Sequence, residues 1–363
     1  MRLLTAFLAL VGSLVLATTA LGQQPAPTPG STRGWTSWPV APVFSQHPVR
    51  GGFLDPRPAA VYHTGVDIAV RDDRPEPGHP PGRTHRVYAI ESGTVWMPAD
   101  EDKRTCQGRL VHVGHFGYGH VDPLGTVEPG QHVLVGQMLG WTCYHHWHMH
   151  LSELGGMQGN RQVYLNPLRP GGRLGPYVDT APPVIRAIRF YTPAEAAWET
   201  VRGALFSVPD GDRLSPQELR GQVDVRVLAD DPQSFSGWMT GRLALLRAPI
   251  SPYQLRVSLA RHLGATVWCR VVFKADRLPT DPFNRRYAAG TVQNLPVYDC
   301  RTGQPIQCAG SYWYHAAPRA GSAYWDTTTE ADGSYDLCVT AFDIAGNHAR
   351  RCASVTVVNN SPV

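Results

Sequence analysis

Apolar and polar residues alternate in short runs along most of the chain, which is the period of a β-strand rather than of a helix. In the first half the runs are Val87-Tyr88-Ala89-Ile90, Gly93-Thr94-Val95-Trp96, Arg109-Leu110-Val111-His112-Val113, His132-Val133-Leu134-Val135 and Met149-His150-Leu151, parted by glycine turns. The second half continues with Gln222 to Leu228, Tyr253 to Val257 and Thr266 to Val272. The pattern predicts an all-β protein built from antiparallel strands. Its last two runs predict a hairpin around Asp343-Ile344-Ala345-Gly346-Asn347, with Tyr335, Leu337, Val339 and Ala341 on one face and Ala353, Val355 and Val357 beside them. Such a face fits one wall of an immunoglobulin-like β-sandwich with long insertions.

Punctuation in the sequence divides the chain. Residues 1–22 read as a secretory signal: Arg2 is the charged start, Leu3 to Ala20 the apolar run, and Ala20-Leu21-Gly22 the small-residue exit. Residues 23–36, rich in Pro, Gly, Ser and Thr, read as a flexible leader. A first β domain is expected over 37–168. The run Arg169-Pro170-Gly171-Gly172-Arg173-Leu174-Gly175-Pro176 marks a linker over 169–179, and a second β domain follows over 180–363.

Composition narrows the setting. A formal charge of +4 on 363 residues is too small to argue for nucleic acid, although a mild positive balance suits an anionic cell wall. No stretch after the signal is apolar enough to span a bilayer, so a secreted or periplasmic protein is expected. Seven cysteines in an exported chain should mostly pair. Cys106 and Cys143 stand by themselves in the first half and predict one bridge. Cys338 and Cys352 could pair across the final hairpin and Cys300 with Cys308 around a loop, leaving Cys269 over; connectivity stays open at this stage.

Twelve of the fifteen histidines lie between His47 and His150, so imidazole chemistry belongs to the first domain. His148 and His150 alternate on a strand and therefore share a face. Upstream, His63-Thr64-Gly65-Val66-Asp67 offers a further imidazole and a carboxylate. Three protein ligands of these types with one open position suit a catalytic zinc, which lowers the pKa of water and polarises a carbonyl. Spacing alone does not choose between His148 and His150. No histidine is followed by glutamate, so the His-Glu-x-x-His design is absent, as is a Gly-x-Ser-x-Gly elbow.

These blocks occur in a telling order: His63-x-Gly65-x-Asp67-Ile68-Ala69, Val87 to Val95, Tyr118-Gly119-His120-Val121, Val127-x-x-Gly130-x-x-Val133-x-x-Gly136-Gln137-x-x-Gly140, and His148-x-His150. Over about residues 35–168 the chain resembles the lysostaphin and LytM type of zinc endopeptidase, which cuts peptide cross-links of bacterial peptidoglycan. The resemblance implies a small antiparallel β domain with a groove. It implies zinc held by His63, Asp67 and His150, with His120 and His148 as unligated catalytic imidazoles that share proton transfer and oxyanion stabilisation. The expected function is thus a secreted zinc metalloendopeptidase acting on peptidoglycan peptide.

Three departures mark this chain: a polar insertion at Arg71 to Arg83, a short stretch from Val111 to His120, and Leu151-Ser152 before Glu153 where an acidic residue is usual two places after the second histidine. Two other functions are compatible with the fold, a non-catalytic wall-binding or hydrolase-activating protein and a protein-directed metallopeptidase. Relatives of the first kind generally lose metal ligands, whereas this chain keeps each of them. Tyr62, Trp141 and Trp147 are read as core residues before groove residues. His145 and His146, outside the motif, are read as groove wall or loop, and Asp210-Gly211-Asp212 as a turn.

Overall fold

The structure is a computed structural model, and it describes residues 37–98, 106–144, 147–201, 204–208, 210–235, 249–293, 310–317 and 323–360. The signal and leader segments, His145, His146, Cys300 and Cys308 lie outside the described residues. Among the described residues there is no α-helix; strands are joined by turns and short 3₁₀ segments. The strands form several antiparallel sheets, as the alternation predicts.

The largest sheet carries the histidine clusters. Its order is Val49–Gly51, Gly65–Ala69, His148–Gln158, Phe116–Gly119, Leu110–Val113, Gly93–Trp96 and His132–Val133, with Arg161–Leu165 paired to the long strand His148–Gln158. The register sets His150 opposite Asp67 on one side and opposite Gly119 on the other. Val66, Ile68, Val111, Val113, Phe116, Tyr118, Met149 and Leu151 point from this sheet into one fully buried core. All five residues of Gly65–Ala69 are buried.

A smaller sheet, Arg83–Tyr88, Met138–Cys143 and Val121–Asp122, flanks it. The run predicted at 132–135 keeps only two strand residues. Side chains take over the ladder there, since Leu134 N donates to Gln137 Oε1 and Val135 N to Ser92 Oγ.

Two further sheets enclose a second core. One orders Thr266–Lys274, Gln254–Arg261, Gly333–Phe342 and His348–Val357; the other orders Val184–Tyr191, Gln222–Asp230 and Trp313–His315, with Trp325–Asp326 paired to the middle strand. Val223, Val225 and Val227 of one sheet meet Leu255, Val257, Leu337 and Val339 of the other in the same cluster. Disulfides join Cys106 to Cys143 and Cys338 to Cys352, and Cys269 is free and exposed.

The segment after Leu168 has no strand until Val184, yet it is packed. Leu174 is buried in the first core, and Trp38 Nε1 donates to Pro176 O at 3.0 Å. Ile250 and Ala275 also join the first core, so the two halves interlock. No helix among the described residues is long and apolar enough to cross a membrane.

Candidate metal centre

His63 sits just before the strand Gly65–Ala69, Asp67 in its middle, and His150 on the neighbouring strand. His63 Nε2 lies 2.9 Å from His150 Nδ1 and 3.1 Å from Asp67 Oδ1, and His150 Nδ1 lies 3.2 Å from the same oxygen. Ligands about 2.0–2.1 Å from a tetrahedral zinc stand roughly 3.3 Å apart, so these separations are slightly tighter than that edge.

The protonation of His63 strengthens the fit. Its Nδ1–H donates to Gly52 O at 2.7 Å, and burial, helped by the Arg57 charge, lowers its pKa to about 4. A neutral ring protonated at Nδ1 presents a lone pair at Nε2. The Asp67 carboxyl is held well below its ordinary value: burial opposes ionisation, but the surrounding His63, His148 and Arg57 outweigh it. Two acceptor atoms, His63 Nε2 and Asp67 Oδ1, thus face each other at 3.1 Å. One proton on His150 Nδ1 would be shared between both of them, whereas a cation satisfies all three atoms directly. The donor set, two imidazole nitrogens and a carboxylate oxygen, suits zinc.

Backbone and charge hold this cluster. Arg57 Nη2 donates to Asp67 Oδ2 at 2.8 Å, fixing the carboxylate with Oδ1 turned to the imidazoles. Glycine makes room for His150 on both sides. A Cβ at Gly65 would stand 2.2 Å from Leu151 O and 2.7 Å from His150 Nε2, and one at Gly119 would stand 3.1 Å from His150 Cβ.

His148 and His120 are brought to the same place. His148 Nε2 is 3.6 Å from Asp67 Oδ1, and its Nδ1 accepts from Arg50 Nη1 at 3.0 Å. Because a guanidinium only donates, a neutral His148 carries its proton on Nε2. His120 follows the strand Phe116–Gly119 with a left-handed backbone, φ 61°. Its N donates to Arg109 O at 2.9 Å, and its ring meets His148 edge-on with centroids 4.9 Å apart. Upstream of His148, Trp147 also takes a left-handed conformation, φ 58°, and its N donates to Asp72 Oδ2 at 2.9 Å. The polar insertion therefore anchors the entry of the histidine strand.

An open groove of about 550 Å³ runs over the cluster, walled by Arg50, Arg57, Tyr62, Arg109 and Gln293. Tyr62 packs at a tilt against Phe283 and Tyr287, and Arg286 lies over its ring, so the second half forms part of the wall. Trp141 is a buried core residue. His115 is exposed and paired with Glu91 at 2.8 Å, and His112 stacks on Trp96; neither reaches the cluster.

Arg50, Arg57, Asp72 and Gln293 were not among the residues singled out from sequence. Neither Arg50 nor Gln293 had a usable signal in the sequence, because each reaches the cluster only through the pairing and packing of the folded chain. Comparison with protein-family models, with curated proteins and with solved structures found no match.

Proposed function

We propose that this protein is an exported zinc metalloendopeptidase of the lysostaphin and LytM type that hydrolyses peptide cross-links of peptidoglycan. One observation carries the reading: His63 Nε2, Asp67 Oδ1 and His150 Nδ1 converge within 3.2 Å of one another at the floor of an open groove. Zinc held there supplies a Lewis acid for a carbonyl and lowers the pKa of water.

The chain's own residues divide the remaining work. His148, with Arg50 on Nδ1, keeps its proton on Nε2 and donates it as a hydrogen bond to the oxygen on which negative charge grows. His120, beside it, takes the proton from the attacking water and returns it to the leaving amine. The open groove, with Tyr62 on its wall, admits an extended peptide. Two disulfides fit an oxidising compartment outside the cytoplasm. The second half is read as an immunoglobulin-like sandwich that positions the enzyme on its polymer.

The test is metal content and turbidity clearing of purified peptidoglycan, comparing the intact chain with His150→Ala and His148→Ala. The intact chain should hold one zinc and clear the suspension. His150→Ala should lose both, whereas His148→Ala should keep the metal and lose clearing. A wild-type chain that takes up no zinc and clears nothing refutes the proposal.

A further inference from the structure

At the junction of the two halves, three carboxylates from distant parts of the sequence meet. Asp179 lies on the segment that leads from the first half, Asp231 directly follows the strand Gln222–Asp230, and Asp343 follows the strand Gly333–Phe342. One oxygen from each lies within 4.8 Å of the others, and all three residues are at most 5 % exposed. We propose that Asp179, Asp231 and Asp343 bind a hard divalent cation of the calcium type, which clamps the second half of the chain onto the half that carries the candidate zinc centre.

Asp231 is the residue that demands a ligand. It is 2 % exposed, and its Oδ1 accepts no hydrogen bond. A buried carboxylate oxygen without a donor is costly, and it becomes more so beside two further carboxylates. Among the described residues no lysine, arginine or histidine forms an ion pair with any of the three. The other two are held in place but keep acceptor capacity. Asp179 Oδ1 accepts from Ala181 N and Ser234 N, and its Oδ2 accepts only a long bond from Tyr177 OH at 3.5 Å. Asp343 accepts from Asn347 N and Asn347 Nδ2, and the same Nδ2 donates to Asp179 O. The final turn is therefore tied to the segment that enters the second half, with Asp231 Oδ1 unsatisfied beside it.

The donor set selects the ion. Oxygen ligands alone suit a hard cation, and two oxygens about 2.4 Å from calcium can stand up to about 4.8 Å apart, a wider spread than zinc accepts. The position gives the ion a task. Tyr177 and Ile344 pack on the first core, while Asp231 and Asp343 cap strands of the second. Asp231 also exchanges backbone bonds with Ile250, whose side chain is buried in the first core beside Gly52.

The site can be tested on the full chain, stripped with a chelator and freed of it by dialysis. Calcium chloride at millimolar concentration should raise the melting temperature of the wild type by several degrees, and equally that of His150→Ala, which lacks the candidate zinc ligand. Terbium chloride should give luminescence sensitised through Tyr177, displaced by calcium. Asp231→Asn and Asp343→Asn should lose the calcium response and the terbium signal while melting without calcium at or above the wild-type temperature, because one buried charge has been removed. No calcium response in the wild type, or an undiminished one in both variants, overturns the proposal. So does a junction whose stability follows pH alone, for then shared protons neutralise the carboxylates. If one asparagine variant fails to fold, the other carries the test.

Discussion

Replacing Gly65 with alanine should damage the candidate metal centre without replacing a candidate ligand. The added Cβ would lie 2.2 Å from Leu151 O, where real contacts do not fall under 3.0 Å, so the Gly65 and His150 strands must part by at least about 0.8 Å at this point. Leu151 O is backbone and cannot swing away, and the same Cβ would press on His150 Nε2 and Cε1 at 2.7 and 2.8 Å. Protein ligands hold a metal within about 0.2 Å of their ideal distances, so a shift of this size should cost zinc affinity on the order of 10–100-fold. Overpacking should lower stability by about 1–3 kcal/mol. Gly119→Ala is the graded control, since its Cβ would stand 3.1 Å from His150 Cβ and needs only a few tenths of an ångström. Zinc affinity by competition with a chromogenic chelator, and stability by urea unfolding, should both rank wild type, Gly119→Ala, Gly65→Ala. Wild-type zinc affinity in Gly65→Ala, or a larger loss in Gly119→Ala, would refute the claim that these glycines exist to seat His150.

Arg50→Met should leave zinc content unchanged but lower clearing by about 10–100-fold, because His148 then loses the partner that keeps its proton on Nε2; an unaltered rate would remove Arg50 from the site. Burial lowers the pKa of His47 to about 4, so folding keeps this ring neutral where the unfolded chain, at about 6.5, takes up a proton. The contribution of this ring is therefore full above pH 6.5 and lost as the pH falls from 6.5 towards 4, by about 2–3 kcal/mol at pH 4.5, with His63 and His85, lowered likewise, adding to the loss. Urea unfolding of the chelator-treated chain at pH 7 and 4.5 should show that loss, and His47→Gln should reduce it. Cys338→Ala with Cys352→Ala opens a cross-strand loop of about 15 residues and should cost about 3 kcal/mol by thermal or urea unfolding, with zinc content unchanged. Gln233→Ala removes a side chain that pairs with both Val49 N and Val49 O, and should cost about 2 kcal/mol and weaken zinc binding through the strand that carries Arg50.

The strands were legible because alternation is a local regularity, and the five residues singled out from sequence do lie together in the fold. Alternation exposes a strand, His63 and Asp67 flank Gly65 within one short motif, and the choice of His150 over His148 as the third ligand came from the resemblance. The Cys106–Cys143 bridge followed from there being two cysteines in the first half, and Cys338–Cys352 was one of the pairings the final hairpin left open. What sequence did not show was the support. Arg50 reaches His148 past the pairing of Val49–Gly51 with Gly65–Ala69, and Arg57 reaches Asp67 from the short strand Pro56–Arg57; no composition reveals either register. Asp72 lies in a polar insertion that reads as surface, yet it is buried and holds both Trp147 N and Thr84 Oγ1. The boundary near residue 169 shows the same limit. Its prolines and glycines predict a break in regular structure, and the strands do stop there, but Leu174 still packs in the first core.

The interlock bears on what the second half contributes. His63 is held by the loop Gly52–Asp55 through three bonds: its Nδ1 to Gly52 O, its N to Asp55 O, and Leu54 N to its own O. That loop is in turn gripped from the second half. Asp55, fully buried, accepts from Ser251 N as well as from Gly52 N, and Tyr287 OH donates to Leu54 O while bonding Ser251 Oγ. A module that served only to anchor the chain on a polymer would have no reason to place buried hydrogen bonds behind His63, a candidate metal ligand. These residues instead fix the orientation of His63, which is the task of outer-shell partners in metal sites. The second half therefore forms part of the frame that holds His63 in the candidate metal centre.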